Sequence, residues 1–240
     1  MVIMEKLSDG AGKLGLHLSQ GQLEQFHIYY QELVDWNRRM NLTAITDYEE
    51  VQSKHFIDSL SVALALKLPT GGSFRVIDVG SGAGLPGMPL KILLPDINLV
   101  LLDSTAKKAD FLSHLKGKLG LDDVEIVVGR AEAMAHEAQY REIFNLVLSR
   151  AVAPLPVLVE LTLPFCAIGG CFVAQKKGDI DLEVSSADRA IGLMGGELRE
   201  VKRVELEEFT DERCLVIIDK MLPTPQQYPR RPGIPAKRPL

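Results

Sequence analysis

The sequence predicts an α/β protein built on an open, doubly wound, mostly parallel sheet of seven strands with helices N-terminal to it. Two patterns lead there. From residue 73 to 218, short β-rich runs alternate with helical ones: RVIDVG (75–80), NLVLLD (98–103), VEIVVG (124–129), NLVLSR (145–150), GCFVAQ (170–175), a run near 198–206, and CLVII (214–218). These runs are almost wholly apolar, which is what strands covered on both faces require. Right-handed crossovers between parallel strands then give the doubly wound arrangement.

The connecting helical patterns fall near 86–94, 106–119, 155–165 and 180–194. Before them, residues 1–72 read as helical. Leu23, Phe26, Tyr30, Leu33, Val34 and Met40 recur at roughly helical spacing. Ser19 with Gln22 suits a capping box. A second helical stretch covers about 49–68, and Gly71-Gly72 closes the region. Residues 73–220 form the expected sheet domain. Residues 221–240 hold six of the chain's 13 prolines, so neither helix nor central strand is expected there. An extended arm that packs or binds is favoured over a disordered tail, because the segment carries Tyr228, Ile234 and dense positive charge.

With 240 residues, 46% hydrophobic and 25% charged, the chain has the composition of one globular domain with a small appendage. No run approaches the ~18 apolar residues of a membrane span, and the N-terminus lacks a signal-peptide core. A cytoplasmic protein with no membrane partner is expected. Cys166, Cys171 and Cys214 form no CxxC pair and have no histidine at ligand spacing, so they read as buried thiols and no metal is expected. The net charge of −5 argues mildly against nucleic acid. That average hides a local bias: Lys220, Arg230, Arg231, Lys237 and Arg238 occur in the last 21 residues without one acidic side chain.

The densest signal is IDVGSGAGLPG (77–87). A strand ends at Gly80, a glycine loop follows, and Pro86 stands where a helix should begin. In open α/β sheets this carboxyl edge is the ligand site. A dinucleotide fold wants G-x-G-x-x-G. Gly80 and Gly82 fit, but Leu85 occupies the third position. Asp78, two residues before the first glycine, would repel a pyrophosphate. It favours the ammonium and sulfonium of S-adenosylmethionine, which is preferred over a nicotinamide cofactor. Asp103 closes the second run, where a carboxylate accepts hydrogen bonds from ribose hydroxyls. Ser104 and Thr105 extend that polar edge or cap the next helix. After the third run, Ala131 offers a backbone N–H to adenine and Glu132 an acceptor for its amine, the alternative being that Glu132 only starts a helix. Ser149 and Arg150 end the fourth run at the same edge. The set predicts a class I S-adenosylmethionine-dependent methyltransferase on a Rossmann-like sheet.

The motifs DWNRRMNLT (35–43), KHFIDSL (54–60), DVGSGAGLPG (78–87), LLDSTAKKADFL (101–112), GRAE (129–132), SRAVAPL (149–155), AQKKG (174–178) and YPRRPGIPAKRPL (228–240) together resemble the bacterial 16S rRNA (guanine-N7) methyltransferases, RsmG or GidB. The resemblance covers nearly the whole chain. Leu85 departs from a frequent phenylalanine, and AQKKG carries an extra lysine. The resemblance implies methylation of a guanine N7 in the decoding-region loop (helix 18) of 16S rRNA, with 16S rRNA or the small ribosomal subunit as partner and S-adenosylhomocysteine as product. It also implies that Gly80, Leu85, Asp103, Ser104, Thr105, Ala131, Glu132 and Arg150 touch the donor. Leu85 and Arg150 enter as cofactor contacts through the resemblance alone.

Guanine N7 carries no proton at neutral pH, so no general base is required. No [ND]PP[YF] follows the fourth run and no Pro-Cys pair occurs. His55 and His114 read as packing or RNA contacts, Arg150 as a positioning residue, and Trp36 as core rather than a base-stacking platform. Arg38, Arg39, Lys54, Lys176, Lys177, Arg230 and Arg231 are candidate phosphate contacts as a group. A monomer is expected. Three rivals remain: a methyltransferase of another acceptor, a nicotinamide oxidoreductase, and a non-catalytic RNA-binding module.

Overall fold

A computed structural model describes residues 4–66 and 73–240. The expected Gly71-Gly72 boundary and the end of the 49–68 stretch lie outside them. The elements in chain order are α1 (Glu5–Lys13), α2 (Gln20–Asn37), α3 (Tyr48–Val51), α4 (Asp58–Leu60), β1 (Arg75–Val79), α5 (Gly87–Leu93), β2 (Asn98–Asp103), α6 (Ala106–Leu119), β3 (Val124–Val128), α7 (Ala131–Met134), β4 (Phe144–Arg150), α8 (Leu155–Thr162), β5 (Cys166–Lys177), α9 (Asp181–Leu193), β6 (Gly196–Val204), β7 (Arg213–Lys220) and α10 (Ile234–Lys237). One seven-stranded sheet has the order β3-β2-β1-β4-β5-β7-β6. The first five strands run parallel, and β7 inserts antiparallel beside β5. This is the class I S-adenosylmethionine methyltransferase architecture.

Successive side chains along each strand enter opposite cores. Val76, Leu99, Leu101, Leu146 and Val173 face the layer of α2, α5 and α6. Ile77, Val100, Leu102, Val147 and Phe172 face α8 and α9. Two buried faces explain the uninterrupted apolar runs.

The N-terminal helices lock onto this frame through polar contacts as well as packing. The Ser19–Gln22 capping box forms, with reciprocal bonds of 3.3 and 2.9 Å. Gln22 Nε2 also donates to Ile92 O at 2.7 Å and Gln25 Nε2 to Leu119 O at 2.8 Å. Helix α2 thus satisfies carbonyls left open at the ends of α5 and α6. Tyr29, rather than the expected Tyr30, is the fully buried tyrosine, and its hydroxyl donates to Ala83 O in the glycine loop at 2.6 Å.

Three expectations change. The 49–68 stretch is not a uniform helix: residues Gln52–Ile57 widen into a π turn between α3 and α4, and Ser61–Ala65 tighten into a 3₁₀ turn. Strand β5 begins at Cys166, four residues before the expected start, because a register shift opposite Phe144–Leu146 accommodates the Gly169-Gly170 pair. The proline-rich arm does contain a helical turn, α10, with Pro235 in its first turn, where the missing N–H costs nothing. Among the described residues, no helix is long and apolar enough to cross a membrane. All three cysteines are free and buried, and burial pushes each thiol up.

Candidate functional site

The carboxyl ends of β1, β2 and β3 surround a cleft of about 280 Å³. The chain leaves β1 through Gly80 at φ 78°. A Cβ there would lie 2.4 Å from Val152 Cγ2, so only glycine lets the loop after β4 approach this closely. The amides of Gly80 and Ser81 donate to Leu102 O at 2.8 and 3.1 Å, tying the loop to β2. Asp103 completes the tie: Oδ2 accepts from Gly82 N at 2.9 Å and Oδ1 from Thr105 N at 2.9 Å. A carboxylate has about four lone-pair sites; the two amides and a long bond from Lys108 to Oδ2 use three, so the remaining acceptor capacity toward the cleft that Asp103 lines is on Oδ1. Lys108 Nζ stands 3.4 Å from Oδ2. Lys108 was not anticipated, since the sequence offers only a lysine one helical turn after Ser104.

Gly80, Asp103, Ser104, Thr105, Ala131 and Glu132 line this one cleft; Gly82, Leu85, Asp78 and Arg150 do not. Gly82 reaches it through its amide bond to Asp103, and Leu85 is buried beneath the loop. Glu132 is the second residue of α7, so both readings of it hold in part: it starts a helix and it faces the cleft. Its Oε1 accepts from Arg130 at 3.0 Å and from Gly233 N of the C-terminal arm at 2.9 Å. Burial works to raise its pKa, but these donors outweigh it and hold the carboxyl below the usual range.

Asp78 lies under the loop, not beside the cleft. It is fully buried. Oδ2 accepts from Gly87 N at 2.8 Å, and Oδ1 has no partner among the described residues. Burial pushes its pKa up to about 7, opposed by the Gly87 amide and the Arg150 charge and assisted by the Asp103 charge. The folded state therefore binds this proton more tightly than the unfolded chain does. Stability should fall as pH rises from about 4 to about 7 and level off above that. Asp78→Asn keeps an acceptor for Gly87 N–H and removes the titration. It is expected to flatten this slope and to be more stable than the parent at pH 8 by about 1–3 kcal/mol. Denaturant unfolding across pH 4–8 checks this; an unchanged slope in the variant would assign the effect elsewhere.

Arg150, at the end of β4, opens on a second cleft of about 210 Å³, lined also by Asp58, Gln175, Lys176, Lys177 and Arg213. Its Nη1 donates to Asp58 Oδ2 at 2.9 Å and to Lys54 O, on the π turn, at 3.3 Å. Ala151 walls both clefts and has φ 55°, a strained conformation for a residue with a Cβ. Ser149 does not reach either cleft; its hydroxyl donates to Val79 O at 2.9 Å. Asp58, Gln175 and Arg213 were missed as site residues, although KHFIDSL and AQKKG contain the first two.

His55 and His114 both have side-chain partners. His55 Nε2 pairs with Thr43 Oγ1 at 2.7 Å, and burial, helped by the Arg150 charge, pushes its pKa down to about 4. His114 Nε2 lies 2.7 Å from Glu32 Oε2. Trp36 packs between Phe111 and His114 at 5.6 and 5.1 Å.

The candidate phosphate contacts divide. Arg38 and Arg39 are exposed and lean on Asp35. Lys54 pairs with Glu50 at 2.6 Å, Lys177 lies 3.6 Å from Asp211, and Arg231 is exposed. Two expected surface cations are instead turned inward. Lys176 donates to Ala153 O at 2.8 Å and Glu183 at 2.6 Å. Arg230 grips the fully buried Glu160 with Nε and Nη2 at 2.8 and 2.6 Å. Lys220, counted with the basic tail, is itself fully buried, 3.2 Å from Glu142.

Comparison with known proteins fits this geometry. The family model described as rRNA small subunit methyltransferase G, GidB, matches residues 22–213. A protein named ribosomal RNA small subunit methyltransferase G from Dehalococcoides mccartyi is 54% identical over 99% of this chain and 100% of its own. One of the same name from Roseiflexus castenholzii is 48% identical over 99% and 100%. Among solved structures, TrmN from Thermus thermophilus aligns with TM-score 0.51 and 16% identity over 71% of this chain and 53% of its own. A precorrin-6y C5,15-methyltransferase from Geobacter metallireducens aligns with TM-score 0.51 and 14% identity over 75% and 93%. Those structures share the fold alone. Full-length identity at this level, joined to the match of the family model over most of the chain, shows that the chain belongs to the rRNA small subunit methyltransferase G (GidB) family.

Proposed function

We propose that this protein transfers the methyl group of S-adenosylmethionine to N7 of a guanine in the decoding-region loop, helix 18, of 16S rRNA, acting as a cytoplasmic monomer. The observation that carries the reading is the convergence of Gly80, Asp103, Ala131 and Glu132 on one cleft at the carboxyl edge of the sheet, in a chain of this family. The residues fit the donor. Asp103 keeps an acceptor site on Oδ1 for a ribose hydroxyl, Ser104 and Thr105 extend that edge, and Ala131 and Glu132 take the adenine. Gly80 and Gly82 let the backbone close on the donor over Leu85. Asp78, buried below, favours a cationic group through its field rather than by contact.

When bound, the donor supplies an electrophilic methyl: the N7 lone pair forms the N–C bond as the C–S bond breaks and sulfur keeps the pair, leaving a cationic guanine and neutral S-adenosylhomocysteine. No proton moves, which suits a site where His55, within the field of Arg150, is held neutral by burial. The chain contributes alignment and exclusion of water, with Arg150 positioning the acceptor. N7 lies in the deep groove of A-form RNA, so the target must be unpaired or flipped out.

Arg38, Arg39, Lys54, Lys177 and Arg231 are the side chains proposed to meet phosphate, with Lys176 and Arg230 supporting the surface from behind. RNA affinity should fall steeply with salt, and Arg231→Ala should weaken binding uniformly across sequences and reduce the logarithmic salt slope by about 1. A flat salt response removes the RNA surface. The deciding experiment supplies labelled S-adenosylmethionine with unmodified rRNA or small subunits and maps the methylated atom. Label at N6 or C5, or methyl transfer to a small molecule or protein alone, overturns the reading.

A further inference from the structure

Two residues that line the second cleft, Gln175 and Arg213, carry buried polar atoms of opposite character that make no hydrogen bond among the described residues. Gln175 is 5% exposed. Its amide nitrogen donates to Asp58 O and lies 3.4 Å from Ser61 Oγ, which turns the carbonyl Oε1 the other way, and Oε1 has no partner among the described residues. Arg213 is 4% exposed, and its Nε is likewise unpartnered. Its guanidinium is held in place by Phe209, 5.5 Å from the ring centroid, and by two carboxylates, Asp211 at 2.9 Å from Nη2 and Asp58 at 3.6 Å from Nη1, which leave Nε as the open N–H. Asp58 therefore stands between Arg150 and Arg213 and fixes both. A buried acceptor and a buried donor left open in one cavity are unfavourable unless a ligand completes them.

We propose that this cleft receives the flipped acceptor guanine, with Gln175 Oε1 accepting from the exocyclic N2 amine and the Arg213 guanidinium donating to O6. The proposal rests on the guanine-N7 reading above and adds how the base is recognised. Guanine presents an acceptor at O6 and donors at N1 and N2 on one edge, which matches an open guanidinium N–H beside an open carbonyl. The cavity lies at the ends of β4 and β5 and the start of β7, on the same sheet edge as the first cleft. Ala151 lines both clefts, so the two adjoin, and the proposal seats the base with N7, which shares an edge with O6, turned toward the first cleft. As N7 gains the methyl the ring becomes cationic and its N–H groups become stronger donors. The bond to Gln175 thus strengthens toward the transition state, where it contributes to rate.

The test compares rRNA substrates carrying guanosine or inosine, which lacks the N2 amine, at the methylated position, with wild-type enzyme and Gln175→Met. Wild-type kcat/KM should fall about 10- to 100-fold on inosine. Gln175→Met, with its S-adenosylmethionine Kd and thermal midpoint measured alongside, should lose a similar factor on guanosine and bring the guanosine-to-inosine ratio close to one. Equal wild-type rates on the two substrates overturn the proposal without any variant, as does a folded Gln175→Met that still discriminates. Product mapping separates this from failure of the underlying reading: methyl found on an atom other than guanine N7 sinks that reading, whereas methyl on N7 without discrimination sinks the pocket alone.

Discussion

Asp103→Ala is expected to weaken S-adenosylmethionine and S-adenosylhomocysteine binding by about 10²- to 10⁴-fold and to reduce methyl transfer at least as much. Two losses combine. The carboxylate is the proposed acceptor for a ribose hydroxyl, and a bond to a charged group is worth about 1.5–3 kcal/mol. It also holds the site together: Oδ2 and Oδ1 each take a backbone N–H at 2.9 Å, from Gly82 and Thr105. Without it the glycine loop loses its tie to the head of α6. Asp103→Asn separates the terms. One acceptor oxygen survives, so one loop bond can persist while the charge and half the acceptor capacity are gone, and an intermediate loss is expected. Calorimetry with donor and product on both variants, alongside thermal midpoints, checks this. Retention of affinity within about threefold in a folded Asp103→Ala protein would remove Asp103 from the donor site.

The parts of the molecule legible in sequence were those whose physics is local. Helix α6 has local punctuation at both ends: it opens after the polar Ser104-Thr105 pair and closes on Gly120, which adopts φ 61° behind Lys116 and Lys118. The strands were legible because two covered faces leave an apolar run with sharp ends. The residues of the first cleft follow from topology, since Gly80, Asp103 and Ala131 sit at or just beyond the ends of successive parallel strands. What failed depended on distant partners. Nothing near Asp58 in KHFIDSL announces that Arg150 and Arg213, 92 and 155 positions on, will flank it. The π turn at Gln52–Ile57 has no local signature. Arg230 and Arg231 are indistinguishable in sequence, yet one is half-buried against Glu160 and the other exposed. Asp78 was placed on the right loop but on the wrong side of it. Strand alternation through Asp78 depends on which core each face meets, and that is a tertiary fact.

Arg230→Ala should destabilise the protein by about 3–5 kcal/mol, more than any other substitution in the arm. Glu160 is 0% exposed, and both its oxygens are engaged by Arg230, whose backbone N–H also donates to Oε1 at 2.8 Å. Alanine retains only that backbone bond and leaves a buried carboxylate without its counter-charge. The penalty belongs to the orphaned charge rather than to lost attraction, which makes a distinctive prediction for the pair: Arg230→Met with Glu160→Leu should be markedly more stable than Arg230→Ala, because no charge is left behind. The effect should also reach the cleft. Arg230 sits three residues before Gly233, whose amide caps Glu132 at the cleft rim, and the arm is otherwise held by Arg141 on Tyr228 O at 3.0 Å and His136 on Pro229 O at 2.8 Å. Loosening the arm removes one of the donors that keep the Glu132 carboxyl ionised, so donor affinity should fall with stability in Arg230→Ala and recover in the double variant. Denaturant unfolding, proteolysis of the arm and donor calorimetry on the three proteins decide it. A single variant within 1 kcal/mol of wild type, or a double variant no better than the single, would mean that the arm is held by its prolines and backbone bonds and that the buried pair is incidental.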